Sequence, residues 1–434
     1  MIQTPEYQKR RKQLMKIVGK NSITILSSRP ELIRNGDVHH YYRQDSDFYY
    51  LSGFNEPDAV LVLIPSNKGQ EQILFCRELN AKKLMWDGPM VGTQGAVDDY
   101  GFDAAFDINE IDRRMPLLIE GCEKICFKIG DNDEFDQKLT SWIKSIESRN
   151  GQKSKAPEEF MSISHLIHDM RLYKSPAEIK CMKKAAQIAA EAHIRMMQSC
   201  QPGKFEYELQ AEYIYHLTKN QSHTSYPPII GSGENGNILH YINNNQMMSN
   251  GDLVLIDAGA EYDFYASDIT RTFPVNGQYS ARQKDLYDVV LQAQLDAIDA
   301  VKVGNHWNEF HDAAVETISQ GLLDLKIING QLDQVLEEKT YANYYMHMTG
   351  HWLGLDVHDC GDYRVDDLWV ELEENMVLTV EPGLYISAHS KAPKKWRGMG
   401  IRIEDDIQVT KKGPVVLSKN VPKTTNEIEQ IMKG

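Results

Sequence analysis

Apolar positions along the first part of the chain gather in short runs. Ile23-Thr24-Ile25-Leu26, the stretch from Ala59 to Ile64, and Gln72-Ile73-Leu74-Phe75 are each bounded by turn-forming residues. Such runs predict strands. Residues 133–147 read as a helix, so residues 1–170 are expected to form a mixed α/β domain. After that the punctuation changes. Ser175-Pro176-Ala177-Glu178 has the form of a capping box with proline at the first helical position, and it opens an alanine-rich helix to about Ser199. Gln201-Pro202-Gly203 ends that helix, a second covers about Glu206 to Thr218, and strand-like segments run on to about Val275. The same order then recurs. Ser280-Ala281-Arg282-Gln283 opens a helix to about Val301, another covers about Glu309 to Leu323, and strands close the chain. Helix, helix, strands, twice over, predicts an internal duplication in residues 171–434, with the sheets forming a saddle and the helices outside. The overall class is α+β, in two domains, as 434 residues suggest.

Composition removes some functions. The formal net charge of -15 disfavours a polyanion partner, so no nucleic acid is expected. No stretch approaches the roughly 18 apolar residues that span a bilayer, and the opening residues lack the apolar run of a signal peptide. The basic run Lys9-Arg10-Arg11-Lys12 reads as the solvated face of the first helix. Cys122 and Cys126 have no second pair at zinc-finger spacing, so the six scattered cysteines are expected to be free thiols and the protein cytoplasmic.

The chemistry lies in carboxylates placed where strands disfavour them. Leu253-Val254-Leu255-Ile256 ends in Asp257, and Met376-Val377-Leu378-Thr379-Val380 ends in Glu381, which proline follows. Asp268 lies within Tyr265-Ala266-Ser267-Asp268-Ile269-Thr270-Arg271-Thr272, which alternates and reads as the returning strand. If the hairpin folds at Tyr262-Asp263, Asp257 and Asp268 stand directly opposed, and like charges there require a cation. In Gly400-Ile401-Arg402-Ile403-Glu404, Arg402 and Glu404 are expected on one face of a strand. His351 sits between glycines in Gly350-His351-Trp352-Leu353-Gly354. Taken singly, each residue has a plainer reading: turn aspartate, core histidine, surface salt bridge. Together, four carboxylates balance two divalent cations, the arrangement of a two-metal hydrolase with ions ~3.5–4 Å apart. Four oxygen donors and one nitrogen favour manganese, with cobalt or zinc able to substitute.

At these residues the sequence resembles the pita-bread metallopeptidases, and within them the aminopeptidase P family. The order Asp257, Asp268, His351, Glu381, Glu404 matches the family's ligand order, and Tyr41 to Pro65 looks like the family's N-terminal domain. The likeness therefore covers nearly the whole chain. It implies a di-metal aminopeptidase that hydrolyses the bond between a first residue and a following proline by attack of a metal-bridging hydroxide, releasing the first amino acid. Its partners would be peptides with proline second, and its assembly a homo-oligomer, dimer or tetramer. Asp257 would chelate one ion, Asp268 and Glu404 would bridge both, and His351 and Glu381 would bind the other. Glu381 would also shuttle the proton. His240, His347 and His358 would line the substrate site and steady the carbonyl, Arg402 would orient a carboxylate, and Tyr385 would do likewise. Trp86, in the loop reading MWDGPMVG, is open to two readings: an anchor in a neighbouring subunit's pocket, or an exposed residue of its own subunit. The basic stretch 391–397 reads as a solvated loop. A prolidase limited to dipeptides, a creatinase-type enzyme of the same fold without metals, and a non-catalytic module of that fold that binds peptides or protein partners are the alternatives; a methionine aminopeptidase usually lacks so large an N-terminal domain.

Overall fold

The computed structural model describes residues 2–65, 71–149 and 155–433. The chain divides into two units, Met1–Arg171 and Leu172–Gly434.

The first unit is built on a six-stranded sheet in the order Ala104–Asp107, Gln72–Cys76, Val60–Leu63, Ser22–Ser27, Lys124–Phe127, Glu159–Ser162. Ser22–Ser27 pairs antiparallel with Val60–Leu63 and parallel with Lys124–Phe127, so the sheet is mixed. Every residue of Val60–Leu63 and of Gln72–Cys76 is buried, which explains continuous apolar runs where a half-exposed strand would alternate. The helix Asp133–Glu147 packs Leu139, Trp142 and Ile146 onto this sheet, and its first turn is capped by Asn132, which accepts from the Phe135 N–H at 3.1 Å.

The opening helix, Thr4–Val18, departs from expectation. Lys9 and Lys12 are exposed, but Arg10 and Arg11 are buried. Four consecutive residues sweep more than one face of a helix, so a basic run cannot all face water. Arg11 donates to Gln72 Oε1 at 2.7 Å and to the carbonyls of Leu51, Tyr100 and Gly101. The planar guanidinium suits a fork of carbonyls, as an ammonium would not.

In the second unit the repeated order is visible in detail. Pro176–Ser199 and Ala281–Ala300 both open on capping boxes, at Ser175 with Glu178 and at Ser280 with Gln283. The following helices, Glu206–Lys219 and Trp307–Asp324, also start alike. The N–H groups of Phe205 and His306 each donate at 2.7 Å to a glutamate three residues on. Gly203 and Gly304, with φ of 90° and 93°, donate to the carbonyls of Met248 and Leu372. Counted from those two carbonyls, Asp257 and Glu381 fall at the same distance along the chain. The two carboxylates that end apolar strands are therefore counterparts in the two halves. A shared core including Ile256, Phe273, Val290, Phe310, Trp352 and Leu378 joins the halves. Six cysteines are free, and among the described residues no helix is long and apolar enough to cross a membrane.

Candidate metal centre

The strand Leu253–Asp257 lies between Ile229–Ser232 and Thr270–Pro274. Its register corrects the expected hairpin. Asp257 stands opposite Thr270, not Asp268, and the turn falls at Asp263-Phe264, with Tyr262 opposite Tyr265. Both turn residues have positive φ, 53° and 69°, as a two-residue primed turn requires. The sequence offered Asp-Phe where Asn-Gly would have announced that turn, so its position was not legible. Gly259 takes up the irregular step between the paired stretches. A Cβ there would lie 1.8 Å from the Ser267 carbonyl oxygen.

The acids converge although their strands do not oppose them directly. The Tyr226 hydroxyl meets Asp257 Oδ1 and Asp268 Oδ1, each at 2.5 Å. The second oxygen of Asp257 is paired with Arg402, and that of Asp268 lies 3.3 Å from His351 Nε2. His351 Nε2 is also 3.6 Å from Glu381 Oε1. Glu404 is buried and accepts from the Thr270 hydroxyl at 2.6 Å. It does not share a strand with Arg402: one strand ends at Arg402, the next begins at Asp405, and Glu404 occupies the crossing between them. Ligand atoms of Asp268, His351 and Glu404 all lie within 4.8 Å of one another.

The surroundings hold these groups in orientation. His351 Nδ1 donates to the Trp352 carbonyl at 2.9 Å, which turns Nε2 toward the acids: protonated, Nε2 pairs with Asp268, and deprotonated it would present a lone pair to an ion. Arg402, also buried, donates to Asp257, to Thr270 Oγ1 at 3.1 Å and to Tyr385 Oη at 2.9 Å. The Thr379 hydroxyl accepts from the His351 N–H at 3.1 Å and donates to Glu381 Oε1 at 3.4 Å. The Asp268 N–H donates to Asp406, a buried acid that sequence reading left out.

Electrostatics follow from that crowding. Burial pushes Asp257 up to about 6 although Arg402 opposes the shift. Burial likewise raises Glu381 to about 7, against the pull of His351. Glu404 goes well above the carboxylate range through burial and the charge of Asp268. Asp268 alone is held low: burial raises it, but the hydrogen bond and charge of His351 prevail. His351 rises to about 9, burial being outweighed by Asp268 and Glu381. Acids that repel one another this strongly form a donor set suited to positive charge. Four carboxylates and one oriented imidazole nitrogen fit hard or borderline divalent ions.

Comparison with known proteins agrees with this geometry. The model of metallopeptidase family M24 matches residues 180–411, more than half of the chain. The chain belongs to metallopeptidase family M24. The aminopeptidase P N-terminal domain matches residues 7–127, which places this M24 member in the aminopeptidase P group and makes it an enzyme of the Xaa-Pro aminopeptidase type. It is 40% identical over 433 residues to the Xaa-Pro aminopeptidase of Escherichia coli K12, covering 99% of this chain and 98% of the relative. The structure of Pseudomonas aeruginosa aminopeptidase PepP superposes with a TM-score of 0.98 at 49% identity, covering 100% of this chain and 98% of that one. A zinc-substituted E. coli aminopeptidase P in complex with product gives 0.97 at 40% identity over 100% and 98% of the two chains. The pita-bread fold expected from the resemblance is thereby established for this M24 chain.

The remaining expected residues fall in different places. His358 is exposed, with its ring 4.3 Å from that of His351. His240 is exposed. His347 is half-buried and both its nitrogens are engaged, Nδ1 with the Met348 carbonyl at 2.7 Å and Nε2 with Tyr385 Oη at 2.9 Å. Burial, then Arg402, lowers its pKa to about 4. Trp86 lies in the helix Ala81–Asp87 of the first unit, not in a loop, and is 78% exposed. The basic stretch 391–397 is anchored by buried Trp396 and leaves Lys391, Lys394 and Lys395 in solvent. Tyr226 was missed. Its one sequence signal is an aromatic hydroxyl just before Pro227-Pro228, where the backbone is stiff.

Gly259→Ala tests how finely the hairpin must be set. The added methyl forces the strands apart beside Asp257, and displacement of a reacting group by ~1 Å costs about 100-fold in rate. A fall of that size in peptide hydrolysis, with an unchanged far-ultraviolet circular dichroism spectrum, is expected.

Proposed function

We propose that this chain hydrolyses the bond between the first residue and a following proline in peptides, using two divalent ions held by Asp257, Asp268, His351, Glu381 and Glu404. The observation that carries the reading is the convergence of four carboxylates and His351 from both halves of the duplicated unit. Residues 171–434 are the catalytic domain in this reading, and residues 1–170 the N-terminal domain of the group. Manganese is the favoured ion; cobalt or zinc can substitute, and the zinc-substituted relative supports that tolerance.

Such ions, when bound, supply Lewis acidity toward the scissile carbonyl and a water of lowered pKa. The protein's own groups do the rest. Asp268 and Glu404 would hold the ions together with His351, whose Nε2 faces them, and Asp257 is fixed by Arg402. Glu381 would take a proton at its carboxylate from the attacking water and pass it to the leaving nitrogen as the C–N bond breaks. That nitrogen belongs to proline, which has no N–H of its own in the peptide bond. His358 and His240, exposed, are free to donate to the developing oxyanion. His347 has no free nitrogen, so it offers substrate a ring face beside Tyr385 and not a proton.

The test compares Xaa-Pro-Xaa with Xaa-Ala-Xaa peptides, and an Xaa-Pro dipeptide, before and after chelation. Preference for proline of about 10–200-fold, loss of turnover on chelation and recovery with manganese are expected. Equal rates on proline and alanine peptides overturn the specificity, and activity confined to the dipeptide makes the enzyme a prolidase. We further propose a cytoplasmic homo-oligomer; the free thiols and the exposed side chain of Trp86 are consistent with it.

A further inference from the structure

One hydroxyl touches two of the acids, and the backbone that carries it is tied to the same hairpin. Ser225 donates its N–H to the Gly259 carbonyl at 3.0 Å and its hydroxyl to the Ser267 carbonyl at 3.0 Å. Gly259 and Ser267 lie next to the segments that bear Asp257 and Asp268. On the other side of Tyr226, Pro227 and Pro228 restrict φ, and the Pro228 carbonyl accepts from buried Asn244 at 2.8 Å. Asn244 itself has a φ of 46° and also accepts from the Ile230 N–H at 3.0 Å. The segment 225–228 is thus pinned at both ends, with the phenol of Tyr226 turned to the acids.

A phenol has one proton and can donate to one carboxylate at a time. Contacts of 2.5 Å from Tyr226 to both Asp257 and Asp268 hold the two Oδ1 atoms on one side. The two Oδ2 atoms are drawn elsewhere, to Arg402 and to His351. Two acids splayed in this way present a fixed opening, which their own repulsion would otherwise widen.

We propose that Tyr226 is a positioning residue that sets the separation of Asp257 and Asp268, and through it the affinity of the centre for divalent ions. This rests on the reading of the cluster as a metal centre. Tyr226 does not hold the ion; it acts through the two aspartates, as outer groups around metal ligands do.

The test is calorimetric titration of Mn²⁺ alone, and separately Zn²⁺ alone, into the metal-free full chain. Tyr226→Phe is expected to weaken binding about 10–100-fold. At saturating Mn²⁺ the variant should regain much of its turnover, with KM for an Xaa-Pro peptide unchanged and the deficit in kcat. A phenylalanine that served packing alone would leave ion affinity at the parent value, and that result overturns the proposal while leaving the metal centre intact. If the parent itself takes up neither ion, the metal reading falls and this proposal with it. Ser225→Ala keeps the phenol but removes one tether, and an affinity loss of about fivefold is expected. Should Tyr226→Phe not fold, the serine variant decides: unchanged affinity there overturns the proposal.

Discussion

Glu404→Ala is expected to lower hydrolysis of an Xaa-Pro peptide at least about 10³-fold, or about 4 kcal/mol, while leaving the fold intact. Glu404 sits at the crossing of two strands, with its carboxylate among Asp268, His351 and the Thr270 hydroxyl. The neighbouring Asp405 cannot take its place, because it is turned away into a separate network with Arg271 and Lys423. Removal of Glu404 also relieves repulsion: burial and the neighbouring Asp268 charge are what raise its pKa. The metal-free variant should therefore melt at or above the parent temperature. Asp257→Ala should lose as much activity but should also lose stability, since it strands the buried Arg402 without its carboxylate. Turnover measured with Mn²⁺, beside melting curves of the metal-free forms, checks both. Near-parental turnover in either variant contradicts the ligand assignment.

The second large effect lies in the first unit. Asp47 is buried in the helix Ser46–Ser52 and is met by Arg171 at 2.6 Å, Lys128 at 2.9 Å and His168 at 3.4 Å. Burial alone would raise its pKa, but the hydrogen bond from His168 and the charges of Arg171 and Lys128 hold it far below the usual range. Asp47→Ala removes the buried anion that Arg171 and Lys128 meet, a change that costs about 3–5 kcal/mol. The pH dependence has a definite sign. The folded-state pKa is depressed, so the contribution is complete above the unfolded value of about 3.9 and is lost as pH falls below it. Denaturant unfolding should show parent and variant separated by a constant gap near neutrality, and the gap should shrink below about pH 4. A gap that persisted unchanged at pH 3 would show that packing, and not the ion cluster, accounts for the loss.

Most of the architecture was legible because it is written in local signals. The capping boxes at Ser175 and Ser280 marked two helix starts to the residue, and the repeat of helix, helix and strands followed from them. Asp257 and Glu381 stood out because an acid closing an apolar strand is costly without a partner. The errors share a cause. The facing of Asp257 and Asp268, the placement of Glu404 on a strand and the solvation of Arg10 and Arg11 all assumed regular continuation of one element. Turn type, strand crossings and the second face of a helix are settled by what packs against them.

The order and kind of the five residues proposed as ligands, the duplication and the family were legible in the sequence, since each depends on residue type and spacing along the chain. The geometry that makes them a centre was not. That one phenol spans two aspartates, that Arg402 reaches Asp257 across 145 positions, and that His347 has no nitrogen to spare are contacts between distant segments. Such contacts are set by the packing of whole strands and loops, and a linear pattern carries no measure of that distance.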